Sequence, residues 1–317
     1  MAHQKFTLAW QQWRDIIEGY PFRDAIRDVH HFTHKAQQEA WHKLAHIENQ
    51  PDVDAYLRTL ALPGMIYIPA GPFLMGSADD DSEAQKNEKP QHEIWLAGYY
   101  IDRTPVTNAE YRQFVDAGGY ERSWLPVSRV TRHSRPSHWT NAHFNGDEQP
   151  VVGVNLYETI AYTSWVKKTL PSEAQWEKAA AWDPITRQKR RYPWGNDWDA
   201  TRCNNSEHQF GHSTPVGQYS PQGDSAYGLV DCAGNVREWT KDISFFSYPY
   251  QVDRDVLEVD DARDIDGLPC ATRGGSWADS AEHIRCSARR GARARARDAM
   301  TGFRCVKWRF RAKDLRK

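Results

Sequence analysis

The residues best suited to binding chemistry lie between positions 277 and 297, near the C-terminal end of the chain. Arginine and tryptophan, the types favoured at binding hot spots, recur there, and a guanidinium grips a carboxylate or phosphate through two parallel hydrogen bonds. The sequence therefore predicts a ligand- or partner-binding surface, the 277–297 surface, with candidate contacts Trp277, Asp279, His283, Arg285, Arg289, Arg290 and Arg293. The alternative is that these arginines only solvate the surface and pair with the acidic 252–266 segment.

Composition sets the class of protein. The 317 residues carry a net charge of −1, and 14 Trp, 14 Tyr and 11 Phe supply enough apolar area for a substantial core. We expect no secretory signal and no transmembrane helix, because no window approaches the necessary apolar length. Five cysteines without Cys-x-x-Cys spacing favour reduced thiols and a cytoplasmic protein. No P-loop or Ser/His/Asp order is present, and despite a basic tail we do not expect nucleic-acid binding.

Two regions must position these residues. Residues 1–62 have apolar side chains at helical spacing and end at a Leu-Pro-Gly break, which predicts an N-terminal helical segment suited to assembly. Residues 63–317 form a second region in which glycine, proline, asparagine and aspartate interrupt short segments. The pattern there predicts strands over 65–69 and 93–101.

Three helices are predicted in the second region. One begins near Thr107 and ends near residue 118, one follows a cap at Asn155, and one follows a capping box at Ser172. Beyond residue 183 the sequence shows little regular periodicity, so we expect irregular structure there, with bound metal ions as one means of satisfying its backbone.

Several short strings carry a family resemblance. They lie at residues 65–77, 105–108, 150–154, 170–177, 192–195, 226–229, 234–239, 273–277 and 302–304, and include Gly-Asn-Val-Arg-Glu-Trp and Arg-Gly-Gly-Ser-Trp. In this order they closely resemble the formylglycine-generating enzyme (sulfatase-modifying factor) family. The resemblance implies an α+β, C-type-lectin-like domain with low regular secondary structure, here preceded by the short N-terminal helical segment.

The resemblance also implies structural calcium. One family site falls on Asp231, Gly234, Val236 and Glu238, which mix carboxylates with backbone carbonyls as calcium prefers. A second site would involve Asn204, Asn205 and Phe210, but its carboxylate position holds His208.

The best-known chemistry of the family is copper-dependent oxidation of a substrate cysteine by two thiolates. Asp279 stands where the first of these cysteines would be, and Cys286 aligns with a non-catalytic one. Because a carboxylate cannot replace a Cu(I) thiolate, we do not expect formylglycine generation.

A second enzymatic branch resembles sulfoxide synthases, which carry a non-haem iron site marked by His-x-x-x-His-x-Glu. This chain has His42, His46 and Glu48 in that spacing, and a helix would present both histidines on one face. A third ligand would come from His30, His31 or His34. The alternative is a solvated helix face.

The resemblance, combined with the missing catalytic cysteine pair, favours a non-catalytic ligand- or protein-binding module, since many bacterial relatives of this domain resemble binding modules. The iron enzyme and, less readily, the copper oxidase remain alternatives. A protein or small ligand is the expected partner, with no membrane association.

Overall fold

The computed structural model describes residues 62–120, 135–243 and 269–307. The predicted N-terminal helices, with His42, His46 and Glu48, lie outside those residues, as does the acidic 252–266 segment. None of the helices in the described residues has the length and apolar character needed to cross a bilayer.

The three predicted helices are confirmed, and each begins at a capping box. Helix α1 spans Asn108–Asp116 after Thr107, α2 spans Leu156–Trp165 after Asn155, and α3 spans Glu173–Ala181 after Ser172. In each case the cap side chain accepts from the backbone three residues on, and the residue there accepts from the cap backbone. A fourth short helix, α4, spans Ala281–Ile284.

The strands differ from the prediction in two respects. The segment over 93–101 is two strands, because residues 92–96 pair with residues 71–75 whereas residues 99–102 pair with residues 65–68 in a different sheet. The region beyond residue 183 is also richer in strands than its periodicity predicted, since buried arginines disguise the apolar pattern. The strands are β1 Met65–Ile68, β2 Gly71–Met75, β3 His92–Leu96, β4 Tyr99–Asp102, β5 Trp182–Asp183, β6 Gln188–Lys189, β7 Arg237–Ile243, β8 Pro269–Arg273, β9 Arg289–Arg293, β10 Thr301–Gly302 and β11 Val306–Lys307.

These strands form two larger sheets and two hairpins. One sheet has the order β1-β4-β11, and the other has the order β10-β7-β8-β9, in which β10 and β7 are parallel and the other pairs antiparallel. Strand β9 is therefore an edge strand, and its alternating side chains point to opposite faces of the sheet. Hairpins β2-β3 and β5-β6 complete the set in the described residues.

Helix α3 lies at the centre of the core. All nine of its residues are buried, and Trp176 and four alanines pack against β2, β3 and β8. Because Glu173, Glu177 and Lys178 are buried as well, their charges need internal partners. The arginines of the C-terminal region supply most of these partners.

Candidate functional site

The loop after β8 is shaped by two glycines. Gly274 and Gly275 have φ of 91° and 68°, and a Cβ on Gly275 would lie 2.6 Å from the Ile284 side chain. This tight turn places Ser276 in the interior and leaves Trp277 partly buried. The backbone N–H of Trp277 donates to the Asn235 carbonyl at 3.0 Å, which joins the loop to the segment before β7.

Asp279 anchors this loop. Its carboxylate accepts from the backbone N–H and hydroxyl of Ser276, at 2.9 and 2.7 Å, and from the Arg237 guanidinium at 2.7 Å. Arg290 lies 3.7 Å away with a side chain that is 60% exposed. The Asp279 carboxylate, which the resemblance aligns with a catalytic cysteine, is therefore buried, charge-neutralised and part of the loop's structure.

Trp277 and His283 lie on either side of this anchor. The Trp277 indole donates to the Ala299 carbonyl at 3.1 Å and packs against Phe144, with ring centres 6.1 Å apart. His283 is exposed on α4, where its Nδ1 lies 3.2 Å from the Ser280 hydroxyl. Both side chains remain accessible to a ligand.

Two of the predicted binding arginines point into the protein. Arg285 is 2% exposed and forms a forked ion pair with Glu88 at 2.7 and 3.0 Å. Arg289 is 5% exposed and holds Glu173 at 2.9 and 2.5 Å. Breaking a buried pair of this kind costs about 3–5 kcal/mol, so these guanidinium groups are committed to the core.

The remaining predicted arginines face outward. Arg290 and Arg293 are exposed on edge strand β9. Alternation places Arg289 inside and Arg290 outside, whereas Arg293 shares the face of Arg289 and is exposed as the last residue of the strand. The accessible part of the 277–297 surface among the predicted residues therefore consists of Trp277, His283, Arg290 and Arg293. Its role in binding stays a prediction.

Arg237 and Phe144 belong to this site but were not predicted. Arg237 lies between Val236 and Glu238 at the start of β7, where strand alternation directs it away from Glu238 and toward Asp279. That alternation was a usable sequence signal for Arg237. Nothing in the sequence around Phe144 indicates its contact with Trp277.

The first implied calcium site has an unexpected occupant, an arginine. The Glu238 carboxylate accepts from the Arg304 guanidinium at 2.6 and 2.7 Å and from the Trp176 indole at 2.9 Å. Because Arg304 already neutralises it, Glu238 in this arrangement does not fit a calcium ligand. Asp231 differs, because burial raises its pKa to about 6, with the Gly217 N–H bond and Arg304 opposing the rise. Calcium at Asp231, Gly234, Val236 and Glu238 stays a prediction.

The second implied calcium site is only partly available. Asn204 Oδ1 is buried and has no hydrogen-bond partner among the described residues, which leaves it open to a cation or a water. Asn205 is engaged, since its Nδ2 donates to the Ala200 carbonyl at 2.9 Å and its Oδ1 accepts from Glu207 N. Phe210 is 45% exposed. The site lacks a carboxylate, so calcium there also stays a prediction.

The thiols are placed away from any reactive role. All five cysteines are free and buried, and burial raises the pKa of each thiol. A raised pKa keeps a thiol protonated, whereas nucleophilic attack requires the thiolate. These side chains act as small core residues.

A cleft of about 380 Å³ opens on another part of the surface, beside the turn after β2. Its cations are engaged in ion pairs, including Lys189 with Glu177 at 2.5 Å and Arg191 with Glu83 at 2.5 Å. Across the described ranges 62–120, 135–243 and 269–307, no group of three or more His, Cys, Asp or Glu side chains is arranged to hold a metal ion.

Comparison with known proteins identifies the family. Residues 50–309 match the sulfatase-modifying factor enzyme 1-like domain. The chain is 38% identical over 192 residues to hercynine oxygenase of Mycolicibacterium smegmatis, and this alignment covers 55% of this chain and 44% of that relative. It is also 30% identical over 288 residues to the formylglycine-generating enzyme of Thermomonospora curvata, which covers 77% and 93%. The chain spans about half the length, between 43% and 53%, of the hercynine oxygenases it matches.

Solved structures show the same fold. PvdO from Pseudomonas aeruginosa aligns with a TM-score of 0.56 at 24% identity, covering 76% of this chain and 93% of PvdO. Treponema denticola variable protein 1 aligns with a TM-score of 0.51 at 20% identity, covering 76% and 94%. The resemblance inferred from the short strings and the α+β fold are both confirmed. The chain belongs to the sulfatase-modifying factor enzyme 1-like family.

Proposed function

We propose that this chain acts as a non-haem iron oxygenase of the sulfoxide-synthase type, in which the described domain binds the substrate and His42 and His46 are among the iron ligands. The observation that carries the proposal is the 38% identity to hercynine oxygenase over 192 residues. The identity favours the iron enzyme over the non-catalytic binding module that we expected from the sequence. Because the chain spans about half the length of that relative, the activity of the whole enzyme is part of this proposal.

The loop at Asp279 argues against the copper alternative. A Cu(I) site needs thiolates, whereas Asp279 is fixed by Ser276 and Arg237, and all five thiols are buried. The family's cysteine oxidation therefore has no suitable ligands among the described residues. A chemistry whose metal is held outside this domain is compatible with the same loop.

The N-terminal region offers such ligands. Histidines four residues apart on a helix lie on one face, and imidazole is a good ligand for iron. His42, His46 and Glu48 have that spacing and lie outside the described residues. Bound iron would supply the activation of dioxygen, and the described domain would bind and orient the substrate.

The accessible part of the 277–297 surface suits a small substrate that carries a carboxylate. The exposed Arg290 guanidinium lies 3.7 Å from the Asp279 carboxylate and near the Trp277 loop, so a substrate carboxylate can take up its remaining donors. Trp277, two residues before Asp279 and partly buried against Phe144, is the aromatic side chain of the same loop. A guanidinium beside an aromatic face recognises a compact zwitterion better than an apolar ligand.

Turnover by the full chain tests this function. The Fe(II)-loaded protein, supplied with hercynine, cysteine and oxygen, is expected to form a sulfoxide product detectable by mass spectrometry. Arg290→Gln should raise KM for hercynine several-fold with iron content unchanged, whereas Arg187→Gln, at an exposed arginine in the turn between β5 and β6, is the matched control and should leave KM unchanged. Stoichiometric iron without any sulfoxide would contradict the proposal.

A second candidate is the binding module that we expected from the sequence. The observation in its favour is the exposed pair Arg290 and Arg293 on edge strand β9, which suits an acidic partner. Binding of an acidic peptide would then weaken steeply with salt, and Arg293→Gln would weaken it further. Salt-insensitive binding would remove this candidate.

A further inference from the structure

Two imidazole side chains from separate segments meet at the surface, close to Phe144 and the Trp277 loop. The ring centres of His143 and His212 lie 5.5 Å apart, with 29° between their planes. His143 is exposed and His212 is partly buried, so solvent reaches both. We propose that this pair binds a divalent late-transition ion such as Zn²⁺, with water completing the coordination.

The separation of the rings suits a shared ion. With a zinc–nitrogen distance of about 2.1 Å, two imidazoles at a tetrahedral angle have ring centres about 5 Å apart. The observed 5.5 Å between His143 and His212 is close to that value. The rings are also stacked, and Phe210 stacks on His212 with ring centres 6.3 Å apart, so the metal titration below distinguishes a metal site from an aromatic stack.

The hydrogen bond of His212 fixes which nitrogen is available. Its Nδ1 lies 2.8 Å from the Ser213 carbonyl oxygen. A carbonyl only accepts, so Nδ1 carries the proton in the neutral ring and the lone pair is on Nε2. Metal-binding histidines characteristically donate their other ring N–H to a carbonyl or carboxylate in this way. His212 Nε2 therefore has the free lone pair that a metal ion needs.

Two buried amides hold the pair in place. Gln149 Nε2 donates to both the His143 carbonyl at 2.9 Å and the Ser213 carbonyl at 2.5 Å, which ties the two segments together. Asn204 Nδ2 donates to the His212 carbonyl at 3.0 Å. Gln149 and Asn204 are 8% and 1% exposed. Because the backbone is fixed before any ion arrives, binding costs little ordering of the protein.

This site is independent of the proposed iron site. It consists of two histidines of the described domain and needs no third protein ligand, which is consistent with the absence of larger His, Cys, Asp or Glu groups in the described ranges. Failure of the oxygenase proposal would leave it untouched, and the reverse also holds.

The test uses the metal-stripped full chain carrying His42→Ala and His46→Ala, so that those histidines do not contribute. Zn²⁺ titration by calorimetry should show one equivalent bound. His143→Ala and His212→Ala should each weaken binding at least tenfold, while His138→Ala, whose ring lies 5.2 Å from that of Phe144, should leave it unchanged.

Co²⁺ provides a second measurement. Substituted at the same site, it should give visible d–d absorption that disappears in His143→Ala. His143 is exposed, and the bond from Gln149 is to its backbone carbonyl, so this variant keeps the fold. Unchanged Zn²⁺ affinity and an unchanged Co²⁺ spectrum in both His143→Ala and His212→Ala would overturn the proposal.

Discussion

Asp231 tests how the interior of this protein is stabilised, because it is a buried carboxylate with a strongly perturbed pKa. Burial is the main cause that raises its pKa from 3.8 to about 6, and the nearby charges of Glu238 and Asp224 add to the rise. The hydrogen bond from Gly217 N, at 2.9 Å, and the Arg304 charge act in the opposite direction. The charged form of Asp231 therefore destabilises the folded state.

The sign and size of this cost follow from linkage. Because the pKa is higher in the folded state, the folded protein binds more protons between about pH 4 and pH 6, so its stability falls as pH rises through that window. The cost is fully present above it. A shift of roughly two pKa units corresponds to roughly 3 kcal/mol.

The perturbation is Asp231→Asn. Asparagine has no charge, keeps an oxygen that accepts from Gly217 N, and tolerates the left-handed φ of 54°. We expect the variant to be more stable than the wild type by up to roughly 3 kcal/mol at pH 7.5, with the gain disappearing near pH 4. Urea unfolding in EDTA at both pH values measures this difference.

The matched control is Asp279→Asn, which loses the ion pair with Arg237 and should be less stable than the wild type at pH 7.5. Added Ca²⁺ extends the assay, because a calcium ligand at Asp231 would make the wild type gain stability that Asp231→Asn lacks. An Asp231→Asn variant that is no more stable than the wild type at pH 7.5 in EDTA would refute the reasoning.

Three further predictions concern the core. Arg304→Met leaves Glu238 buried without its cation and should lower the free energy of unfolding by about 3–5 kcal/mol. The double variant that adds Glu238→Gln should recover much of this stability, and no recovery would contradict the pairing. Gly234→Ala places a Cβ 2.1 Å from the Asn204 carbonyl oxygen at a residue with φ of 69°, and should greatly reduce the yield of soluble, folded protein. Gly211→Ala is the control, because the space around that residue is open, and it should lower the free energy of unfolding by only about 1 kcal/mol. Iodoacetamide should label none of the five buried cysteines in the native protein and all five in denaturant, and rapid native labelling would contradict their burial.

Local sequence patterns predicted the parts of the fold that depend on neighbouring residues. The three capping boxes are examples, because each is completed within four residues of the chain. The order of the short strings likewise predicted the family and its α+β fold. The prediction merged the two strands within 93–101 because their pairing with β2 and β1, in different sheets, depends on distant parts of the chain.

The direction of the arginines was not predictable from sequence. Arg285 pairs with Glu88, 197 residues away, and Arg289 pairs with Glu173, 116 residues away. Composition alone describes Arg289 and Arg290 identically, yet strand alternation buries the first and exposes the second. The meeting of His143 and His212, 69 positions apart, likewise depends on buried amides that no local pattern indicates.

Iron analysis of the purified full chain tests the central proposal most directly. After anaerobic loading with Fe(II) and removal of excess metal, the wild type should retain about one iron per chain, and the double variant with His42→Ala and His46→Ala should retain none. His143→Ala, measured in parallel, should retain the wild-type amount. Equal iron in the wild type and the double variant, or none in either, would contradict an iron centre built on these histidines.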